Sequence, residues 1–175
     1  TNLLDAIYYL CVGKSYFSGS DRNLVRQGED SMDFFRLEGD FEKSEKPARI
    51  VIKVQPNKRK EIEYNKVKYK RLSEHLGVFP VVVIAPFDVA LALEGSEVRR
   101  NFLDNMLAQL DTTYLQQLIQ YNKLLDQRNT ALKQFAETRR FDKTLLDIYN
   151  QQLIPLGNFI HQRRKAFLAQ FKPQF

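Results

Sequence analysis

The chain has 175 residues, of which 43% are hydrophobic and 27% charged, with 27 Lys and Arg against 21 Asp and Glu. That length suits one large domain or two small ones, and the composition implies a buried core rather than a disordered chain. No apolar run approaches the roughly 20 residues of a membrane helix and no signal peptide is visible. A single cysteine, Cys11, excludes an internal disulfide framework and fits a reducing cytoplasm.

The opening residues carry a helical pattern. Leu3, Leu4, Ile7, Tyr8, Leu10 and Cys11 recur at helix spacing, and Thr1 or Asn2 is suited to cap the first turn. A helix that starts at residue 1 suggests that a preceding segment has been cut away. Gly13 and Ser15 to Ser20 read as a loop, followed by a short helix from Asp21 to Arg26 that ends near Gly28.

Strand signals come next. Phe34 to Phe41 alternates loosely, and Ala48 to Gln55 alternates cleanly, placing Ile50, Ile52 and Val54 on one face. Pro56-Asn57 predicts a turn. Lys60 to Tyr64 and Val67 to Lys70 predict a hairpin joined at Asn65-Lys66, because Asn tolerates positive φ. Such a half-polar meander should be antiparallel with one face in solvent. Ser73 to Leu76 reads as a helical turn capped by Ser73 and closed by Gly77. The apolar run Val78 to Ile84 predicts a buried strand, with Pro80 near its start and Pro86 and Asp88 just beyond its end.

The remainder is helical. Ser96 to Met106 is amphipathic, with Val98, Phe102, Leu103 and Met106 inward and Arg99 and Arg100 opposite. From Thr112 onward Leu118, Leu125 and Leu132 stand a heptad apart, as do Tyr114 and Tyr121. After a basic loop at Arg139 to Asp142 the pattern resumes in Leu146, Leu153, Ile160 and Phe167, with Tyr149 and Leu156 as companions. Two such stripes predict an antiparallel helical hairpin, and Pro155 predicts a kink in its second helix. The predicted class is α+β: a unit over 1–105 built on an antiparallel β meander, then a coiled-coil-like arm over 106–175.

Charge is unevenly placed. Residues 1–105 hold 17 basic and 16 acidic side chains, whereas residues 106–175 hold 10 and 5. Clusters at Arg139, Arg140 and Lys143, and at Arg163, Arg164 and Lys165, mark candidate contacts for a polyanion. No spacing of metal ligands surrounds His75 or His161, which read as surface or structural residues, and Asp5 and Asp21 have no evident partner chemistry. No glycine-rich phosphate loop is present. From the residues alone, the pattern points to a binding module.

Four blocks carry a family resemblance. TNLLDAIYYL at the start resembles the helix that follows the phosphate-binding loop in RecF and its SMC-like relatives, where the loop has the form G-x-x-G-x-G-K-[ST]. GKSYFSGSDRNLVRQG (Gly13 to Gly28) and VVVIAPFDVALALEGSEVRRNFLD (Val81 to Asp104) resemble later segments of the same family. So does LDTTYLQQLIQYNKLLDQR (Leu110 to Arg128), completed by Asn129. Ser18 stands where the family usually has Arg, and Ala85 where Ser is common, which removes any contact those two positions would inherit.

The resemblance implies a head fragment over 1–105 and a lobe II arm over 106–175 of a RecF-like DNA-repair ATPase. It places Thr1 as the magnesium-binding threonine at the end of the phosphate loop, with Asn2 beside it. It implies ATP and Mg as cofactors of the intact protein. It also implies ATP-dependent dimerisation on DNA at single-strand/double-strand junctions, and RecR as partner with RecO in the same pathway. Arg99, Arg100 and the two basic clusters become DNA-contact candidates. The signature and acidic strand that complete the ATP site lie outside these residues, so no catalytic residue is expected here. Two alternatives stand beside this one: a head and coiled-coil root of another SMC-like ATPase, or a helical interaction module without nucleotide.

Overall fold

The computed structural model describes residues 2–26, 34–55 and 58–174. It is α+β, and contacts divide it into two compact units, Thr1–Val89 and Ala90–Phe175. The expected 105–106 boundary falls inside a helix of the second unit, which packs against the two long helices there.

In the first unit, helix α1 (Asn2–Val12) is followed by a loop and a 3-10 turn at Asp21–Leu24. Strands β1 (Phe35–Lys43), β2 (Lys46–Val54), β3 (Glu61–Tyr64) and β4 (Val67–Lys68) then form one antiparallel sheet in the order β1-β2-β3-β4. The alternation in β2 does what its sequence predicts: Ala48, Ile50, Ile52 and Val54 are buried. Ile50, Ile52 and Val54 join Tyr9, Leu10 and Ile62 in one core. Gly39 in β1 makes the helix-on-sheet contact possible, because a Cβ there would lie 2.8 Å from Leu10 Cδ1. The turn at Asn65-Lys66 has φ of 48° and 70°, as foreseen, and Asn65 Oδ1 accepts from Arg49 N at 2.7 Å. Ser44-Glu45 makes the same left-handed turn, at φ of 51° and 61°, without the usual Asn or Gly.

Helix α1 forms where its spacing predicts; its deeply buried residues are Tyr8, Tyr9, Leu10 and Cys11, whereas Leu3, Leu4 and Ile7 are exposed. Two expectations fail in this unit. Ser73 is not a cap: it lies inside the 3-10 turn Leu72–Glu74, which Arg71 precedes, although Gly77 does take φ of 86°. The run Val78–Ile84 forms no strand, and Ile84 is 88% exposed. A strand needs a neighbour for its backbone, and the meander's own order leaves this run out. Phe79 nevertheless packs on Phe41, ring centroids 4.7 Å apart, and Lys43 Nζ donates to Val78 O at 2.7 Å. The short helix expected from Asp21 to Arg26 is a 3-10 turn that ends at Leu24, where Val25 is extended; Gly28 and the predicted turn at Pro56-Asn57 lie outside the described residues.

The second unit is helical: α2 (Ala90–Leu93), α3 (Ser96–Leu110), α4 (Thr112–Thr138) and α5 (Lys143–Phe171). Asp111 caps α4 by accepting from Thr113 N and Tyr114 N, and Asp142 caps α5 by accepting from Leu145 N. α4 and α5 meet as an antiparallel hairpin whose buried residues include Tyr114, Leu124, Ala131, Leu156 and Ile160, whereas Leu118, Leu125 and Leu132 of the expected stripe are half-buried. α5 continues through Pro155, which is exposed. Arg139 closes α4 in the left-handed conformation, at φ of 52°, so four residues suffice to reverse the chain.

Candidate nucleic-acid interface

Of the residues expected at a phosphate site, Thr1 lies outside the described residues, and Asn2 opens α1 exposed to solvent. Asp5, in the first turn, is turned toward the following loop. It accepts from Ser15 Oγ at 2.7 Å and from Tyr16 N at 2.8 Å, while Ser15 Oγ accepts from Phe17 N and Ser18 N. The loop is also tied to the segment before α2. Tyr16 donates its hydroxyl to Asp88 Oδ1 at 2.5 Å, Asp88 Oδ2 accepts from Ala85 N, and Phe87 stacks on Tyr16. Burial, and then the Asp88 carboxylate, push the Tyr16 hydroxyl well above its ordinary pKa. Tyr16 therefore stays protonated and donating.

A second polar hub holds the same loop to the sheet. Lys60 Nζ reaches Asp21 Oδ2 at 2.8 Å and Gly13 O at 2.7 Å, and it sits 4.9 Å from the centre of the Tyr9 ring. Tyr9 in turn donates to Asp21 Oδ1 at 2.8 Å. Gly13 takes φ of 80° to end α1, and a Cβ there would come 3.3 Å from Ile62. His75 is structural: it is fully buried, and its Nε2 hydrogen donates to Leu10 O at 2.6 Å. Burial holds its pKa below the ordinary histidine value, so it is neutral. His161 is exposed.

In the second unit the basic candidates separate by their partners. Arg164 is committed to structure: Nε and Nη2 grip both oxygens of Asp104 at 2.7 Å, and the buried Tyr114 donates to the same carboxylate at 2.5 Å. Arg163 leans on Asp111 at 3.5 Å and on the Phe159 ring. Arg99 donates to the carbonyls of Leu91 and Glu94, closing α2, and Arg100 donates to Ser96 Oγ. Arg139, Arg140, Lys143 and Lys165 are exposed and form no ion pair with a described residue. At 1.5 Å per residue, Lys143 and Arg164 stand about 30 Å apart along α5, so the two clusters are separate patches.

Sequence spacing did not reveal the clamps Tyr9–Asp21–Lys60, Tyr16–Asp88 and Asp104–Tyr114–Arg164. Each joins residues too far apart in sequence for periodicity to register. Among the described residues no group of His, Cys, Asp and Glu could hold a metal, and no helix is long and apolar enough to cross a membrane.

A helix packed on an antiparallel meander, together with a separately packed helical hairpin, makes this an α+β fragment, and comparison with known proteins identifies its family. No family model matches the chain. It is 44% identical over all its 175 residues to the DNA replication and repair protein RecF of Flavobacterium johnsoniae, and 40% identical to that of Porphyromonas gingivalis. A solved structure of the recombination mediator protein RecF-ATPrS in the RecFOR pathway superposes over 98% of the chain with a TM-score of 0.90 at 32% identity. The chain belongs to the RecF family of DNA replication and repair proteins. It spans about half the length of the curated relatives it matches, 48% and 46% of the two named here, and 46% of the solved chain.

Proposed function

We propose that the protein carrying this chain binds DNA at single-strand/double-strand junctions in an ATP-dependent manner and helps to load recombinase at gaps. The observation that carries the DNA-binding part is the set Arg139, Arg140 and Lys143. They are exposed at the closed end of a hairpin and form no ion pair with a described residue. Mobile cations of this kind suit a phosphate backbone, whose condensed counterions they displace. Lys165, and Arg163 with its long ion pair, form a second patch nearer the other end of α5. Arg164 positions helices and does not reach DNA.

ATP and Mg are the cofactors of this reading. The exposed start of α1 fits a phosphate, since the first amides of an 11-residue helix point out of its end and Asp5 is held aside by Ser15 and Tyr16. Thr1 would ligate the magnesium and Asn2 would border the phosphates. Bound ATP would supply the interactions that join two heads. The present residues contribute scaffold and arm to that parent, a weak DNA-dependent ATPase, and by themselves do not turn over ATP. The solved relatives are named for the RecFOR pathway, which supports RecR as the partner and RecO in the same route.

The test uses the full-length protein on a gapped duplex. ATP should convert monomer to dimer and raise affinity for the junction over plain duplex. A protein that stays monomeric with ATP and binds both DNAs equally would contradict the proposal.

A further inference from the structure

The densest run of positive charge lies in the first unit, where the overall balance hides it. Lys58 to Arg71 holds seven cations, at 58, 59, 60, 66, 68, 70 and 71, against Glu61 and Glu63. Three of the seven have structural partners. Lys60 belongs to the Asp21 hub, Arg59 donates to the Lys70 carbonyl, and Lys68 lies between Glu61 at 2.9 Å and Glu63 at 3.8 Å. The other four, Lys58, Lys66, Lys70 and Arg71, are exposed, and their side chains have no partner among the described residues.

Their placement is ordered by the sheet. Among the described residues β4 is the last strand, so no described strand pairs with its far side. Tyr69 N donates to Ile62 O and Glu63 pairs with Lys68, which turns the backbone groups of Lys68 away from β3 toward that far side. On the β3–β4 hairpin lies an open groove of about 380 Å³ whose lining includes Arg59, Lys60, Lys68, Tyr69 and Lys70, with the carboxylate of Glu61 among them. Lysines on an edge strand also discourage unwanted strand pairing. That role accounts for Lys68, in β4. It does not account for Lys58, Lys66, Lys70 and Arg71, which lie outside the strands, or for the groove.

We propose that this edge is a second contact surface for a nucleic-acid phosphate backbone, carried by the sheet unit in addition to the arm. The inference rests on the DNA-binding reading above. The contact is independent of base sequence: the aromatic group beside it, Tyr69, is half-buried and stacked 6.5 Å from Tyr64, so no ring is presented to a base.

The experiment compares the full-length protein with a triple variant, Lys66→Gln, Lys70→Gln and Arg71→Gln, on two duplexes of unrelated sequence and on one single strand. The plot of log affinity against log salt should become shallower by about two to three for both duplexes alike, since each lost phosphate contact removes about 0.9 from the slope. A companion with Lys66→Arg and Lys70→Arg should keep the original slope and guards against a folding defect. An unchanged slope in the Gln variant would overturn the proposal. So would a Gln variant that loses affinity only for an acidic protein, or a full-length protein that binds no DNA. Charge reversal at Arg139, Arg140 and Lys143 serves as the separate arm. If that change leaves the slope intact while the edge variant flattens it, the edge stands and the arm assignment fails.

Discussion

The two units are stabilised differently, and the difference shows which charges are left for function. In the sheet unit, polar clamps tie together segments remote in sequence: Tyr9, Asp21 and Lys60; Tyr16 and Asp88; His75 and Leu10. The arm is held by a repeating apolar seam and by charged contacts from α5: the clamp of Asp104 with Tyr114 and Arg164, and the longer Arg163–Asp111 pair. Where local packing already defines the fold, charges can be left unpaired, as at Arg139, Arg140 and Lys143. Where loops must be fixed at a distance, as with Lys60, cations are drawn into structure.

The largest effect should come from the sheet core. Ile50→Ala empties a fully buried site and should lower stability by about 3–4 kcal/mol, read as loss of hydrogen-exchange protection at the β2 amides. In the arm, Asp104→Ala leaves Arg164 and the buried Tyr114 hydroxyl without their acceptor. The pair is partly solvated, with side chains 15% and 24% exposed, so the expected loss is about 2–3 kcal/mol, read at α4 and α5 amides. If Asp104→Ala costs nothing, the arm is held by its seam alone and the contrast between the units collapses.

A smaller effect distinguishes the units by pH. His75 has a folded pKa below its unfolded value of about 6.5, because burial disfavours the imidazolium. The unfolded chain therefore takes up a proton that the folded chain resists. This contribution is fully present above about pH 6.5 and is lost as pH falls below it. Urea unfolding between pH 7.5 and 5 should show protection of the sheet unit falling with pH. His75→Gln, which still offers a donor to Leu10 O, should flatten that dependence. An equally steep decline in the variant would assign the effect to other groups.

Much of this fold is legible in the sequence where the signal is local. ARIVIKV alternates and becomes β2, the helical stripes become the α4–α5 hairpin with the deepest α4 positions shifted to Leu124 and Ala131, and Asn65-Lys66 becomes a left-handed turn. Signals that depend on a neighbour mislead. Val78–Ile84 has the composition of a buried strand, yet composition cannot supply a strand to pair with. Leu3, Leu4 and Ile7 match the helical period, but Tyr9, whose hydroxyl finds Asp21, is the residue that enters the core. Ser44-Glu45 turns without the residues that usually announce such a turn. The candidate site was half legible. Sequence groups Arg163, Arg164 and Lys165 into one patch, and only geometry separates the clamped Arg164 from its neighbours. Averaging charge over 105 residues likewise conceals the run from Lys58 to Arg71.

The central claim, that the free cations at the hairpin end meet DNA while the clamped ones do not, is tested most directly by salt dependence. The full-length protein is compared with a variant carrying Arg139→Glu, Arg140→Glu and Lys143→Glu, using a junction substrate titrated over a range of salt. The log–log slope should become shallower by about three while arm stability changes by less than about 0.5 kcal/mol. A slope unchanged in a folded variant would show that the charge at the hairpin end serves something other than DNA.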